Sequence, residues 1–159
     1  MNLLSSILTL ENRSNDGERT LGSALELAVA EWGSGSCDRE LRLHLAFLSW
    51  YCMLEPPHLT GFDETLAPFA DLPGLFVEVY TTFEQGILDD PECLYAFGLM
   101  ATLSPWLLGE NEATWKTRST AFRTRYRQLC PDGLNPVVFN GRGAYGAYFR
   151  HQLKTPGGF

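Results

Sequence analysis

The chain has 159 residues and a net charge of −7, with 45% hydrophobic and 13% aromatic residues. A chain of this length fits one compact domain, and its composition supplies a hydrophobic core and argues against intrinsic disorder. An acidic surface repels phosphate backbones and anionic lipids, so nucleic acid and membrane surfaces are poor partners and a cationic protein is a better one.

The cysteines and the N-terminus predict a reduced, cytoplasmic protein. The four cysteines form no Cys-x-x-Cys pair, and most stand in or beside apolar runs, where a free thiol behaves as a small hydrophobe. The N-terminus lacks the basic region and cleavage site of a signal peptide. The charge-free run at residues 93–109 is too short to span a bilayer comfortably and contains Pro105.

Helical spacing of apolar residues predicts an all-α fold over residues 1–159, a single-domain bundle of about six to seven helices. Sustained period-two alternation, the pattern of strands, is absent. A first helix is predicted at residues 2–10 and a loop at residues 11–17, and a second helix ends at Gly33.

The third predicted helix, at about residues 38–54, is the centre of the expected bundle. It begins with charged residues and then becomes apolar on every side from Leu45 to Leu54. A helix that is hydrophobic all round is buried all round. The prolines at positions 56 and 57 end it.

The second half of the chain predicts further helices with clear start signals. A short helix is expected from Asp63, and Pro73 suits the first turn of the helix that follows. Asp90 is the predicted N-cap of a helix that runs to about Leu108, with a kink near Pro105. The remaining expected elements are helices at residues 111–129 and 144–153 and a frayed tail at residues 155–159.

Charge distribution gives the main functional signal. Residues 43–115 contain eleven of the nineteen Asp and Glu residues and no Lys or Arg. Negative charge also supplies solubility, which is the competing explanation. A field of one sign steers a cationic partner, so we interpret the segment as partner-binding. The expected contact residues are the acids at helix ends and two tryptophans: Asp63, Glu64, Asp71, Asp89, Asp90, Glu110, Glu112, Trp106 and Trp115.

Two other motifs point to phosphate or nucleotide binding. The run Gly141–Gly146 matches Gly-x-Gly-x-x-Gly, but no acid follows it to hold a ribose, so we expect a flexible turn. The basic cluster from Lys116 to Arg127 has arginines at helical spacing that could bind phosphates. Ion pairs with the acidic segment are the preferred interpretation of that cluster.

The alternative function is a small helical-bundle enzyme or a metal- or ligand-binding protein. Glu40 and His44 lie one turn apart and offer two ligands, although such a pair also stabilises a helix. Glu55 and His58 flank a rigid turn and would form either an acid–base pair or a structural cap. Because no third ligand and no nucleophile motif is visible, we expect no catalytic residue, metal or cofactor.

A small, acidic, all-helical domain without a catalytic motif resembles the immunity proteins of bacterial polymorphic toxins. The segment Leu48–Gly61 is similar to segments of uncharacterised bacterial proteins encoded near such toxin genes. The resemblance implies a protein that binds a toxin domain, often a basic nuclease or a nucleotide-dependent transferase, and fills its cleft with carboxylates. It implies no particular site residue. A structural or adaptor subunit is a further interpretation.

Overall fold

The computed structural model describes residues 2–63, 71–155 and 159. These residues contain no strand, which confirms the all-α fold. Two short 3-10 helices, Ile87–Asp89 and Pro136–Phe139, accompany the α-helices. Within the described ranges the α-helices are α1 (Leu3–Asn15), α2 (Leu21–Gly33), α3 (Arg39–Leu54), α4 (Pro57–Thr60), α5 (Leu72–Glu84), α6 (Pro91–Leu103), α7 (Glu112–Leu129) and α8 (Gly143–Lys154).

α3 is the buried centre of the bundle, as the sequence predicts. Every residue from Leu43 to Trp50 is buried. α2 and α5 pack along α3, and α8 contacts it through aromatic rings. The rings of Phe47 and Trp50 lie 5.7 and 5.4 Å from the ring of Tyr148 in α8. An apolar helix surrounded in this way buries all of its faces, which explains its lack of a polar stripe.

α6 and α7 form the second packed pair and share an aromatic cluster with α5. The Trp115 ring of α7 lies 5.5 Å from Phe76 and 5.0 Å from Tyr80, both with edge-on geometry. Phe97 of α6 contacts the same two α5 rings at 5.7 and 5.4 Å. Edge-on aromatic pairs add about 0.5–1.5 kcal/mol each beyond the area that they bury.

α1 extends to Asn15, so the loop predicted at residues 11–17 is wrong over its first part. Glu11 looks like a loop residue in the sequence, yet its side chain is fully buried. Its carboxylate accepts hydrogen bonds from His44 and from the backbone N–H of Tyr145. These contacts keep the last turns of α1 helical until Gly17 turns the chain with a φ of 94°.

α6 ends at Leu103, five residues before the predicted end at Leu108. Ser104 leaves the helix at φ −150° and ψ 58°. Pro105 disfavours helical backbone in the residue before it, so the proline terminates α6 and does not kink it. The Ser104 hydroxyl also accepts a hydrogen bond of 2.6 Å from Nε1 of Trp50, which fixes the turn against α3.

The helix starts at Leu72 and Pro91 are confirmed, and each has an aspartate N-cap. The four-residue α4 was not predicted, and the short helix expected from Asp63 falls mainly on residues 64–70, outside the described residues. In the predicted tail, residues 156–158 also lie outside them. The Phe159 ring packs 6.0 Å from Tyr95 and 5.7 Å from Tyr126, so this residue is held against the bundle.

The four cysteines are free thiols, and none of the helices in the described ranges is long and apolar enough to cross a membrane. Burial raises the pKa of the Cys52 thiol to about 12, and a hydrogen bond from Thr60 offsets part of this effect. Cys52 is therefore a protonated core residue at neutral pH.

Replacement of Ser104 by alanine is expected to lower the free energy of unfolding by about 1–3 kcal/mol, because it leaves the buried Trp50 N–H without an acceptor. Urea denaturation monitored by circular dichroism measures the change. The matched control is Ser23→Ala on the exposed side of α2, with an expected effect within about 0.5 kcal/mol. Equal effects of the two substitutions would contradict a structural role for the Trp50–Ser104 bond.

Candidate protein-binding surface and buried polar network

A groove of about 440 Å³ opens at the end of the bundle where α3 ends and α5 begins. We call this the α3–α5 groove. All of its lining residues belong to the segment 43–115, so the described lining contains no Lys or Arg. The lining residues are Cys52, Met53, Leu54, Glu55, Pro56, Pro57, Phe62, Leu72, Pro73 and Leu107.

Large apolar side chains are exposed on the elements around this groove. Trp106, next in sequence to the lining residue Leu107, is 65% exposed. Leu59 of α4 is 54% exposed, and Leu103 at the end of α6 is 42% exposed. Exposed apolar side chains beside a recess are candidates for contact with a partner.

Carboxylates accompany the apolar residues at the same end of the bundle. Glu55 lines the groove, and Asp71 caps α5 by accepting a 2.8 Å hydrogen bond from the Gly74 N–H. Asp63 is exposed and directly follows the lining residue Phe62. Glu110 directly follows Gly109, where an added Cβ would meet the carbonyl of Pro73 at 2.6 Å. Three of the expected acids, Asp63, Asp71 and Glu110, are therefore next in sequence to residues at this end of the bundle, and Glu55 lines the groove itself.

The other expected acids lie elsewhere. Asp90 caps α6 and binds Arg39 at 2.6 Å, and Asp89 binds Arg125 at 3.2 Å. Both precede α6, whose 13 residues separate them from Trp106 by about 20 Å. Glu112 forms an exposed pair with Lys116 at 3.1 Å in the first turn of α7. Glu64 lies outside the described residues.

The two tryptophans expected as anchors differ completely in exposure. Trp115 is fully buried in the α5–α7 aromatic cluster and donates its indole N–H to the carbonyl of Gly109. Its side chain is therefore not available to a partner, whereas that of Trp106 is. In the sequence, Trp115 shares helical spacing with Phe122 and Tyr126, which is a signal of burial that could have distinguished it from Trp106.

Ion pairs between α7 and the acidic segment are confirmed. Arg118 lies 2.9 Å from Glu110 and 3.8 Å from Glu84, and Arg125 binds Asp89. The Arg118 guanidinium also stacks over the Trp115 ring at 4.5 Å. Arginines from outside the cation-free segment thus neutralise some of its acids.

A buried charged network connects α1, α3 and α8. Its Glu40–His44 pair was visible in the sequence, whereas Glu11 and Arg142 join it only through the fold. His44 is fully buried and uses both ring nitrogens: Nδ1 lies 2.5 Å from Glu11 Oε2 and Nε2 lies 2.9 Å from Glu40 Oε1. Burial favours the neutral imidazole, but the hydrogen bonds and charges of Glu11 and Glu40 outweigh it and raise the pKa of His44 to about 9. His44 is therefore an imidazolium that donates both bonds at neutral pH.

Arg142 extends the network towards the surface. Its guanidinium donates to both carboxylate oxygens of Glu40 at 2.8 and 2.7 Å, and to Glu92 at 2.8 Å. Burial works to raise the pKa of Glu40, but the bonds from His44 and Arg142 prevail and lower it to about 2. The Tyr145 hydroxyl donates a 2.6 Å bond to the same Glu92 oxygen, which completes the cluster.

The hydrogen bonds around His44 give the Glu40–His44 pair a structural role. A fully buried imidazole with both nitrogens bonded to carboxylates has no lone pair for a metal and no path to a substrate. The described residues include no group of three His, Cys, Asp or Glu side chains arranged to hold a metal. The half-buried Glu55 and the exposed His58 share no hydrogen bond or ion pair in the described structure.

The Gly141–Gly146 run is a turn into α8. A 3-10 helix, Pro136–Phe139, stands before it in place of the strand that a dinucleotide site requires. Gly141 and Gly143 adopt φ values of 71° and 67°, which side chains rarely adopt. Gly146 packs against the carbonyl of Phe139 at a distance that leaves no room for a side chain.

Comparison of the chain with protein-family models, curated proteins and solved structures yields no match.

The free energy of unfolding is expected to fall as pH rises from about 6.5 to about 9, because an unfolded histidine loses its proton near pH 6.5 whereas His44 keeps it up to about 9. The raised pKa stabilises the fold fully below about pH 6.5, and this stabilisation, about 3 kcal/mol, is lost as pH rises through about 9.

Urea denaturation at several pH values checks this, with His44→Gln as the test variant and the exposed His58→Gln as the control. Only His44→Gln is expected to flatten the pH dependence. If His44→Gln does not fold, NMR titration of the wild-type imidazoles gives the same answer. A neutral His44 ring at about pH 8 would refute the assignment.

Proposed function

We propose that this protein is an acidic protein-binding module, and that it acts in the cytoplasm as an immunity protein that neutralises a bacterial toxin domain with a basic surface. The observation that carries the proposal is the α3–α5 groove, an apolar recess with a described lining free of Lys and Arg and with the exposed Trp106 beside it.

The apolar part of this surface suits the centre of an interface. Protein interfaces combine a desolvated apolar core with a polar rim, and tryptophan is among the residues that contribute most binding energy. Trp106 and Leu59 are the most exposed large apolar residues at this end, and each projects from a short connection or a short helix. A partner that covers them removes apolar area from water without any rearrangement of the core.

The carboxylates at this end explain the preference for a basic partner. Glu55 lines the groove, Asp63 and Asp71 are next in sequence to its lining residues Phe62 and Leu72, and the cation-free segment also supplies Glu110. Charges on a rim accelerate association with an oppositely charged surface and discourage other partners. The same carboxylates repel a nucleic-acid substrate, which suits a protein that covers the basic cleft of a nuclease.

The alternative, a helical-bundle enzyme or ligand-binding protein, has less support from the geometry. Its strongest residues were Glu40 and His44, and both are held in the buried network by Glu11 and Arg142. The part of the α3–α5 groove lining that the structure describes contains one carboxylate, Glu55, and no histidine.

The immunity function is tested with the gene next to this one in its genome. Co-expression with a toxin domain encoded there is expected to restore the growth that the toxin domain alone arrests, because the toxin's active cleft is covered. Isothermal titration calorimetry with the purified toxin domain then measures affinity. The absence of a toxin gene, or growth arrest that co-expression does not relieve, would refute this function.

Replacement of Trp106 by alanine is expected to weaken binding of that partner by roughly 30-fold or more, the effect of losing an interface hot spot of about 2 kcal/mol. The free energy of unfolding should change little, since the side chain is 65% exposed. Val137→Ala, at an apolar position that is 57% exposed on the 3-10 helix before α8, is the control. Equal affinities for all three proteins would place the interface elsewhere.

The charge contribution is tested with Glu55→Gln, Asp71→Asn and Glu110→Gln combined. Asparagine retains N-capping ability at position 71, so the fold is preserved. The triple variant is expected to bind more weakly and to show a shallower dependence of affinity on salt. A control variant with Asp16→Asn, Glu26→Gln and Asp132→Asn changes the same net charge at exposed positions. Identical salt slopes in the two variants would contradict local steering.

A further inference from the structure

A second recess lies between the end of α6 and one face of α7, and we call it the α6–α7 pocket. Its volume is about 280 Å³, slightly below the range of about 300–1,000 Å³ that is usual for small-molecule sites. Lys116, Ser119, Thr120 and Arg123 line it from α7, at the spacing that places residues on one helix face. Thr102 and Pro105 line the opposite side.

The charge of this pocket is opposite to that of the α3–α5 groove. Lys116 and Arg123 both line it, and the described lining contains no Asp or Glu. Lys116 pairs with Glu112 at 3.1 Å, but its side chain is 64% exposed and the pair joins adjacent turns of one helix. Exposed pairs of this kind contribute little, so a ligand can compete for the ammonium group at low cost.

Arg123 differs from the other polar lining residues because its guanidinium forms no hydrogen bond or ion pair among the described residues. Its guanidinium lies over the Phe159 ring at 5.3 Å, and its Nε is buried without a hydrogen-bond partner. Arg118 and Arg125 on the same helix, by contrast, are bonded to carboxylates. Buried donors are nearly always paired, so an arginine positioned by stacking and not engaged by an acid indicates that its partner is a ligand.

The threonine and serine hydroxyl groups of the lining indicate which kind of ligand the pocket binds. Thr102 donates to the carbonyl of Gly98 at 2.7 Å, so Ser119 must be the donor in their mutual 2.5 Å contact. Thr120 makes only a long 3.2 Å bond to the carbonyl of Lys116, and its hydroxyl can rotate towards the pocket. The groups left to bind a ligand, the ammonium, the guanidinium and this hydroxyl, are all donors.

We propose that the α6–α7 pocket binds the phosphate group of a small molecule, either inorganic phosphate or a phosphate monoester. A compact tetrahedral oxyanion offers acceptors only and matches guanidinium and ammonium donors. The net charge of −7 disfavours a polyanion such as nucleic acid but has far less effect on a small anion. This site is independent of the α3–α5 groove, with which it shares no lining residue.

The experiment is a ¹H–¹⁵N NMR titration of the full chain with inorganic phosphate and, separately, with glycerol 3-phosphate, each at constant ionic strength. Saturable shifts centred on Lys116–Arg123 are expected. Tighter binding of the ester identifies a phosphorylated metabolite as the ligand class, and tighter binding of inorganic phosphate identifies the free ion. Shifts that increase linearly without saturation for both anions would overturn the proposal.

Substitutions inside and outside the pocket distinguish a specific phosphate site from a general attraction of phosphate to positive charge. Arg123→Gln and Lys116→Gln are each expected to weaken binding roughly tenfold, the loss of one hydrogen bond to a charged group. Arg127→Gln removes the same charge from an exposed position on α7 that lines a different pocket, and should weaken binding less than about twofold. Equal weakening by Arg127→Gln would overturn the proposal. If Arg123→Gln fails to fold, Lys116→Gln decides alone, because its side chain is largely exposed.

Discussion

The fold depends on one buried ion pair, that between Glu11 and His44. Both side chains are fully buried, and together they connect α1, α3 and the start of α8. Removing two charges from water is costly, and the cost is offset only where each group receives good hydrogen bonds. Glu11 accepts from His44 and the Tyr145 amide, and Glu40 supports His44 from the other side. Loss of either member would leave an uncompensated charge in the core, which typically costs about 3–5 kcal/mol.

Further ion pairs at the start of α6 neutralise part of the acidic segment. Arg142 and Arg39 bind Glu92 and Asp90 at the start of α6, and Arg125 binds Asp89 nearby. Much of the acidity of the cation-free segment is therefore neutralised at that end of α6. At the other end of α6, Arg118 lies 2.9 Å from Glu110. The α3–α5 groove thus has the carboxylate of Glu55 in its lining and the exposed Trp106 next to it in sequence.

Local patterns predicted the long helices well, because apolar spacing and caps such as Asp38 and Asp90 act within a few residues. They failed where distant contacts decide the outcome. The last turns of α1 depend on a bond between residues 33 positions apart, and the turn after α6 on a bond between residues 54 apart. The candidate binding surface likewise depends on contacts between distant residues. The helical spacing of Trp115 with Phe122 and Tyr126 is a local signal of burial, but the groove beside Trp106 exists only after α3, α5 and the α6–α7 connection meet.

The state of His44 also makes folding a proton-coupled reaction. Slightly above neutral pH, the histidines of an unfolded chain are mostly uncharged, whereas His44 in the bundle remains an imidazolium with a pKa of about 9. The chain therefore takes up nearly a full proton from the solvent when it folds. The buffer supplies that proton, so the heat of folding includes the ionisation enthalpy of the buffer. The measured enthalpy of folding therefore depends on the choice of buffer as well as on the contacts of the folded chain.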